Sequence, residues 1–541
     1  MTRRSRIFAS SAFAILAASL SCMRATATAE GAARIPVAAA PPKLVVLIAV
    51  DQLRGDMLSR YASQLRGGYA RLMRGAWFVN AFQDHGNTET APGHASMMSG
   101  RFPASTGITS NATGVVDARY ALIDALPSEV GASPERFQGT TLYDWIAAAH
   151  PAARALSVSM KDRSAILMTG RAKQDVYWYS ASGRFTTSRY YRDSLPDWVR
   201  EFNARRIPHR YAGAEWRLLL DESAYPEPDT VPYENQGRAN VFPHLFPDDS
   251  AVAASLVRAT PTMDSLTALF ALAGLRRTGI GQGPHTDVLS VSFSATDVIG
   301  HTYGPDSREA HDNQLRLDRT LAWFLDSLYR WRDSSTVIIA LTADHGVQPI
   351  PELARQRGEA TGDQGLRVNI REQIRAVRAG LRAANADTAA FLYDGEAVSL
   401  DRAALAAARV NADSLLDAFA RDVRRVPGIL RVDRMRDLRR ADFALDPIAR
   451  RWAHQFPATS PVELVITLTK YSLWGPYTAT HGSPHDLDAH VPVIFYGPGF
   501  RPGRYTAFTR VVDIAPTLAE MVGVKAAQPL DGVVRTEALA R

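Results

Sequence analysis

The chain has 541 residues, 46% of them apolar, with a formal net charge of +7. This apolar content excludes whole-chain disorder, and the length fits roughly two to four ordinary domains or one large α/β domain with insertions. Arg3, Arg4, Arg6 and Arg24 fall in the first 29 residues, which contain no acid, so the remainder carries only +3, and no Lys/Arg block or basic-aromatic run points to nucleic acid.

The chain opens with a positive segment, "MTRRSR", then an apolar run, "IFASSAFAILAASL", then small residues, "ATATA", ending at Ala29. This order predicts a secretory signal over residues 1–29 and a periplasmic or secreted protein. The alternative is a lipid anchor at Cys22, the only cysteine, but Ser19 stands where a lipobox has leucine. With Cys22 in the leader, the mature body has no disulfide and no thiolate nucleophile or metal ligand. A Pro/Ala-rich linker over 30–42 leads to the body, 43–541, in which no apolar run is long enough to span a bilayer.

"LVVLIAVDQ", Leu44–Gln52, is a β-branched apolar run closed by an acid, the pattern of a buried parallel strand. Similar runs recur at Ala155–Met160, Asp287–Asp297, Ser335–Gly346, Glu463–Thr469 and Val491–Gly499. Helical patterns separate several of them, as at Asp312–Trp331 and Val511–Gly523. Strand–helix alternation predicts a doubly wound α/β fold with a mostly parallel central sheet flanked by helices. Two stretches interrupt it. About 164–284 is rich in Tyr, Trp, Arg and Pro and reads as an inserted cap or lid. About 353–461 carries helical runs and reads as a smaller helical subdomain.

Several strands end in oxygen or nitrogen donors: Asp51, then Asp297 and His301, then Asp344 and His345, with His481 following the Glu463 strand. In doubly wound sheets ligands bind outside the carboxyl ends of the strands. Three Asp and three His without Cys suit zinc, and six donors suffice for two ions with positions left open for substrate. His85, His94, His485 and His490 lie near these motifs and read as structural or as supports behind the ligands.

"NTETAPGHASMMSG", Asn87–Gly100, begins polar and continues as a run of small residues. Pro92 suits the first turn of a helix, and free N–H groups at a helix N-terminus favour phosphate. A hydroxyl just ahead of Pro92 would sit beside that phosphate; Thr90 is the candidate nucleophile and Thr88 its nearest rival.

Together, "VDQ", "TAPGH", "SN", "KDR", "DVIGH", "ADHG" and "THG" resemble the alkaline phosphatase superfamily, in the branch joining nucleotide pyrophosphatase/phosphodiesterases to the phosphate-irrepressible alkaline phosphatases. The resemblance implies a two-zinc phosphate monoesterase acting on small-molecule phosphate esters through a phosphothreonine at Thr90. It assigns Asp297, His301 and His481 to one Zn2+ and Asp51, Asp344 and His345 to the other. It gives Asn111, Lys161 and Arg163 the non-bridging phosphoryl oxygens, the last two marking monoesterases. The alternative on the same scaffold is a phosphodiesterase or nucleotide pyrophosphatase, and the other class is a zinc-containing binding protein without turnover. Thr90 and His94, where sulfatases have a modified Cys or Ser and an Arg, stand against sulfatase chemistry.

Overall fold

Leu44–Val50, Asp287–Phe293 and Val337–Thr342 are buried along their whole lengths. A strand covered on both faces has no solvent side, which is why these runs are continuously apolar rather than alternating. In the computed structural model, which describes residues 41–540, they form the middle of a nine-stranded sheet. The predicted leader, with Cys22, and most of the predicted linker lie outside the described residues.

In chain order the strands are β1 (Leu44–Val50), β2 (Ala76–Phe78), β3 (Ala155–Ser159), β4 (Asp175–Tyr179), β5 (Phe185–Thr186), β6 (Asp287–Phe293), β7 (Val337–Thr342), β8 (Val493–Tyr496) and β9 (Gly503–Tyr505). Across the sheet they run β9-β2-β8-β7-β1-β6-β3-β4-β5. The stretch from β7 to β4 is parallel throughout. At the flanks, β8 is antiparallel to β7 and β2, and β5 to β4. Thr262–Thr278 and Arg308–Trp331 pack together as one helical layer, and Thr90–Ser99, Leu142–Ala149 and Ile514–Val522 as another.

Three expectations are corrected. Glu463–Thr469 does form a strand, Val462–Leu468, but not in the central sheet. It lies in a separate antiparallel sheet ordered Phe391–Asp394, Ala397–Leu400, Val462–Leu468, Ile429–Arg434. An apolar strand records that it is buried, not which sheet buries it. The stretch at 353–461 is therefore not a purely helical subdomain. Its helices Arg371–Ala383 and Ala412–Val423 share a second core with that sheet, built on Leu381, Phe391, Leu416, Phe419, Leu464 and Ile466. Finally, the stretch at 164–284 contributes β4, β5 and the Thr262–Thr278 helix to the central layers. Its strands of the main sheet end at Thr186; the two short strands that follow, Glu215–Trp216 and His244–Leu245, pair with each other instead.

Candidate functional site

β1, β6 and β7 run in level register, Leu44 pairing with both Asp287 and Val337, so their carboxyl ends emerge together. Asp51 directly follows β1. Asp344 and His345 lie just past β7. Asp297 stands in the first turn of the helix Ala295–Tyr303 that follows β6, with His301 one turn further on the same face. His481 comes from the loop after the smaller sheet. All of these carboxylates are buried, Asp51 and Asp344 at 0% exposure and Asp297 at 4%.

The donor atoms of Asp297, His301 and His481 lie within 4.8 Å of one another. Those of Asp51, Asp297 and His345 do the same, so Asp297 is common to both groups where Asp344 is expected in the second. Asp344 is adjacent: its Oδ2 is 3.5 Å from His345 Nε2, while its Oδ1 accepts from the backbone N–H groups of Gln52 and His345, each at 3.0 Å. The rings of His345 and His481 stack at 3.5 Å. The six residues thus converge.

Each histidine is oriented by its far nitrogen. His301 Nδ1 donates to Ala479 O at 2.9 Å, His345 Nδ1 to Gly346 O at 2.9 Å and His481 Nδ1 to Thr88 O at 2.7 Å. That fixes the tautomer and leaves each Nε2 lone pair for a ligand. Asp51 Oδ1 and His345 Nε2 are buried without hydrogen-bond partners, and Asp344 Oδ2 has only the His94 ring nitrogen, at 3.1 Å. Such groups are costly to bury unless something positive meets them. Buried carboxylate oxygens with imidazole nitrogens, and no sulfur, fit a zinc-type divalent cation.

Lys161 is the fixed cation among these acids. It is only 7% exposed, and its Nζ lies 2.7 Å from Asp51 Oδ2, 2.6 Å from Asp297 Oδ2 and 3.3 Å from Thr90 Oγ1. Burial works against its charge, but Asp297 and Asp51 hold its pKa above the ordinary value. Burial would likewise raise Asp297, yet Lys161 and His301 hold it well below the carboxylate range. Asp51 goes the other way, pushed up by burial and by Asp344. Burial lowers His345 to about 3, which keeps the ring neutral.

Thr90 opens the helix Thr90–Ser99, all ten residues of which are buried. Fewer backbone donors are free there than a bare helix N-terminus offers. The Ala91 N–H donates to Asn111 Oδ1 at 2.9 Å, Pro92 has none, and the Gly93 N–H donates to Glu89 O at 3.1 Å. Anchored through Oδ1, Asn111 keeps its amide N–H groups for another acceptor. The rival hydroxyl of Thr88 donates to Ser483 O at 2.9 Å. Arg163 lies at the rim, its side chain 29% exposed and 3.7 Å from Asp162, with Nε buried and unpartnered. Two glycines permit the packing. A Cβ on Gly93 would stand 2.2 Å from the Asp344 carbonyl oxygen, and one on Gly300 1.8 Å from Gln52 Oε1.

The histidines read as structural do make structural bonds. His85 contacts Gln455 Oε1 at 3.2 Å, His485 donates to Leu468 O at 2.7 Å and His490 to Val79 O at 2.8 Å. His94 bonds within its helix to Thr90 O and, through Nε2, to Ser292, both at 2.9 Å, and its Nδ1 is also 3.1 Å from Asp344 Oδ2. Gln52, Glu89 and Gln455 escape the sequence reading. Gln52, at φ 68°, donates to Asp297 Oδ1 at 2.9 Å. Glu89 Oε2 accepts from the Asn111 N–H at 2.6 Å. A glutamine after a strand-end acid, as in "VDQ", was the one signal available for Gln52; the other two bonds link distant segments or adjoining loops and leave no local pattern.

The family described as Type I phosphodiesterase / nucleotide pyrophosphatase matches residues 45–438. The chain belongs to that family. It is 30% identical over 543 residues to "Alkaline phosphatase PhoV" of Synechococcus elongatus, covering 93% of this chain and 94% of the relative. To "Alkaline phosphatase PafA" of Elizabethkingia meningoseptica it is 28% identical over 527 residues, covering 92% and 95%. The crystal structure of wild-type PafA superposes with a TM-score of 0.84 at 27% identity, covering 92% of this chain and 99% of that one. As a phosphodiesterase/pyrophosphatase-family hydrolase, the enzyme thus shares the phosphatase fold over nearly its whole length. Among its described residues no helix is long and apolar enough to cross a membrane.

Proposed function

We propose that this hydrolase is a periplasmic or secreted alkaline phosphatase, a two-zinc phosphate monoesterase acting through a phosphothreonine. The observation that carries this is the buried Lys161 ammonium 3.3 Å from Thr90 Oγ1. A monoester dianion carries more charge on its non-bridging oxygens than a diester, so a cation fixed beside the nucleophile favours it. The names of the PhoV and PafA relatives support the same reading.

Thr90 Oγ forms a bond to phosphorus as the bond from phosphorus to the alcohol oxygen breaks, the hydroxyl proton ending on the departing alcohol; water then attacks phosphorus, the Thr90 Oγ–phosphorus bond breaks, and a water proton restores the hydroxyl. Lys161 meets the charge that builds on the phosphoryl oxygens. Asn111, locked through its carbonyl, donates from its amide nitrogen, and Arg163 donates from the rim. Zinc held by Asp297, His301 and His481, and by Asp51, Asp344 and His345, would supply positive charge to the oxygens that attack and leave.

The second reading, a phosphodiesterase or nucleotide pyrophosphatase, is favoured by the description of the matching family. The test is kcat/KM of the zinc-loaded enzyme on nitrophenyl phosphate and on its bis-ester. The monoester is expected to lead by about 100-fold or more, the scale of one well-placed charge stabiliser. Removing Lys161 and Arg163 together should cut monoester hydrolysis more than diester hydrolysis. A preference for the diester, or equal losses on both, would overturn the monoesterase assignment.

A further inference from the structure

A cavity of about 230 Å³ lies between the loops that flank Thr90 and the edge of the smaller sheet. Asn87 and Ser110 line one side; Asp394, Glu396, Ser399 and Trp452 line the other. Asn87 is three residues before Thr90, and Ser110 precedes Asn111. The cavity also adjoins the His481 loop: a Cβ on Gly482 would lie 3.6 Å from Asn87 Oδ1 and 3.8 Å from Glu396 Oε1.

The charge of this lining is one-sided, set among apolar side chains such as Phe456 and Val462 and the hydroxyls of Thr109, Thr113 and Ser460. The lining holds two carboxylates and no lysine, arginine or histidine. Asn87 Oδ1 is a buried acceptor without a hydrogen-bond partner. Glu396 Oε1 meets only the Trp474 indole N–H, at 3.1 Å. Burial and the nearby Glu89 push Glu396 up to about 8, a direction that an adjoining cation reverses. Carboxyl groups with no facing cation, beside an unpartnered amide oxygen, suit a group that brings N–H donors and a positive charge, as an ammonium does. The volume suits a short chain rather than a drug-sized ligand.

We propose that this cavity receives the alcohol portion of the substrate and selects amino-alcohol phosphates, monoesters whose leaving group carries a protonated amine. The inference rests on the monoesterase reading for the reaction at Thr90. It is tested by a binding measurement that needs no turnover. Calorimetry on the metal-loaded enzyme compares 2-aminoethylphosphonate with phosphonoacetate, which place an ammonium or a carboxylate at a similar distance from phosphorus.

The wild type is expected to prefer the aminoethyl ligand by about 5-fold or more, the scale of a partly exposed ion pair. The Asp394→Asn/Glu396→Gln double variant should lose that preference. Asp394→Lys, at an exposed strand end, should reverse it without touching the interior. Equal binding of the two ligands by the wild type, or a preference unchanged in both variants, would overturn the proposal. Nitrophenyl phosphate hydrolysis is followed in parallel. Its absence in the wild type would sink the monoesterase reading, whereas a missing charge preference with normal hydrolysis would sink this inference alone.

Discussion

Thr88 and Thr90 are two residues apart, and their hydroxyls have different neighbours. Thr88 spends its proton on the Ser483 carbonyl, while Thr90 faces the Lys161 ammonium. Thr90→Ala should therefore reduce turnover by about 10³-fold or more while zinc content stays unchanged. Near-normal activity in that variant would remove the nucleophile from Thr90. Glu396 makes a pH prediction. Its folded-state pKa, about 8, stands above the ordinary 4.5. Between those values the folded chain holds a proton that the unfolded chain has lost, so this group's contribution to stability falls as pH rises through the window. The unfolding temperature of Glu396→Gln should fall less than that of the wild type from about pH 5 to about pH 9. Parallel curves would show that the carboxyl is not held protonated.

At the scale of elements, the helix Pro447–Gln455 joins the smaller sheet to the loop before Thr90. Gln455 is fully buried. Its Oε1 accepts from the Asn87 N–H at 2.8 Å, and its Nε2 donates to Thr109 O at 2.6 Å. Asp84, four residues before Thr88, is paired with Arg450 from the same helix at 3.0 Å. Gln455→Leu strands the Asn87 N–H and the His85 ring nitrogen, while Thr109 O keeps the Asn87 amide; the two orphans should cost about 2–4 kcal/mol of unfolding free energy at roughly 1–3 kcal/mol each. Activity should fall with it, because the two loops carry Thr90 and Asn111. A change below about 0.5 kcal/mol in denaturant melts would mean the loops hold themselves. None of this was legible in the sequence. Strand ends and acids follow local patterns, whereas Gln455 meets Asn87 across 368 positions.

Over the whole molecule, three buried carboxylates, Asp51, Asp297 and Asp344, gather at one centre, the first two against the ammonium of Lys161. A cation that binds only the folded arrangement stabilises it by mass action. Chelation should lower the unfolding temperature by about 5–15 °C, and added zinc should restore it, given roughly 2–4 °C per kcal/mol for large domains. An unchanged unfolding temperature would mean that no metal is bound at this centre.

By itself the amino-acid sequence determined the parallel core and the chemistry at its carboxyl ends. Buried strands need unbroken apolar runs, and a strand must stop where an acid or histidine turns out of the sheet, so both leave local signatures. Asp51, Asp297, His301, Asp344 and His345 were picked out as candidates in that way, and Thr90 from the helix start that Pro92 marks. Only the tertiary structure decided which sheet takes Val462–Leu468, that β4 and β5 complete the main sheet, that Asp297 lies between both donor groups, and that Lys161 sits between two carboxylates. Each of these depends on side chains from distant segments meeting in space, and apolar period and turn chemistry carry no record of such partners.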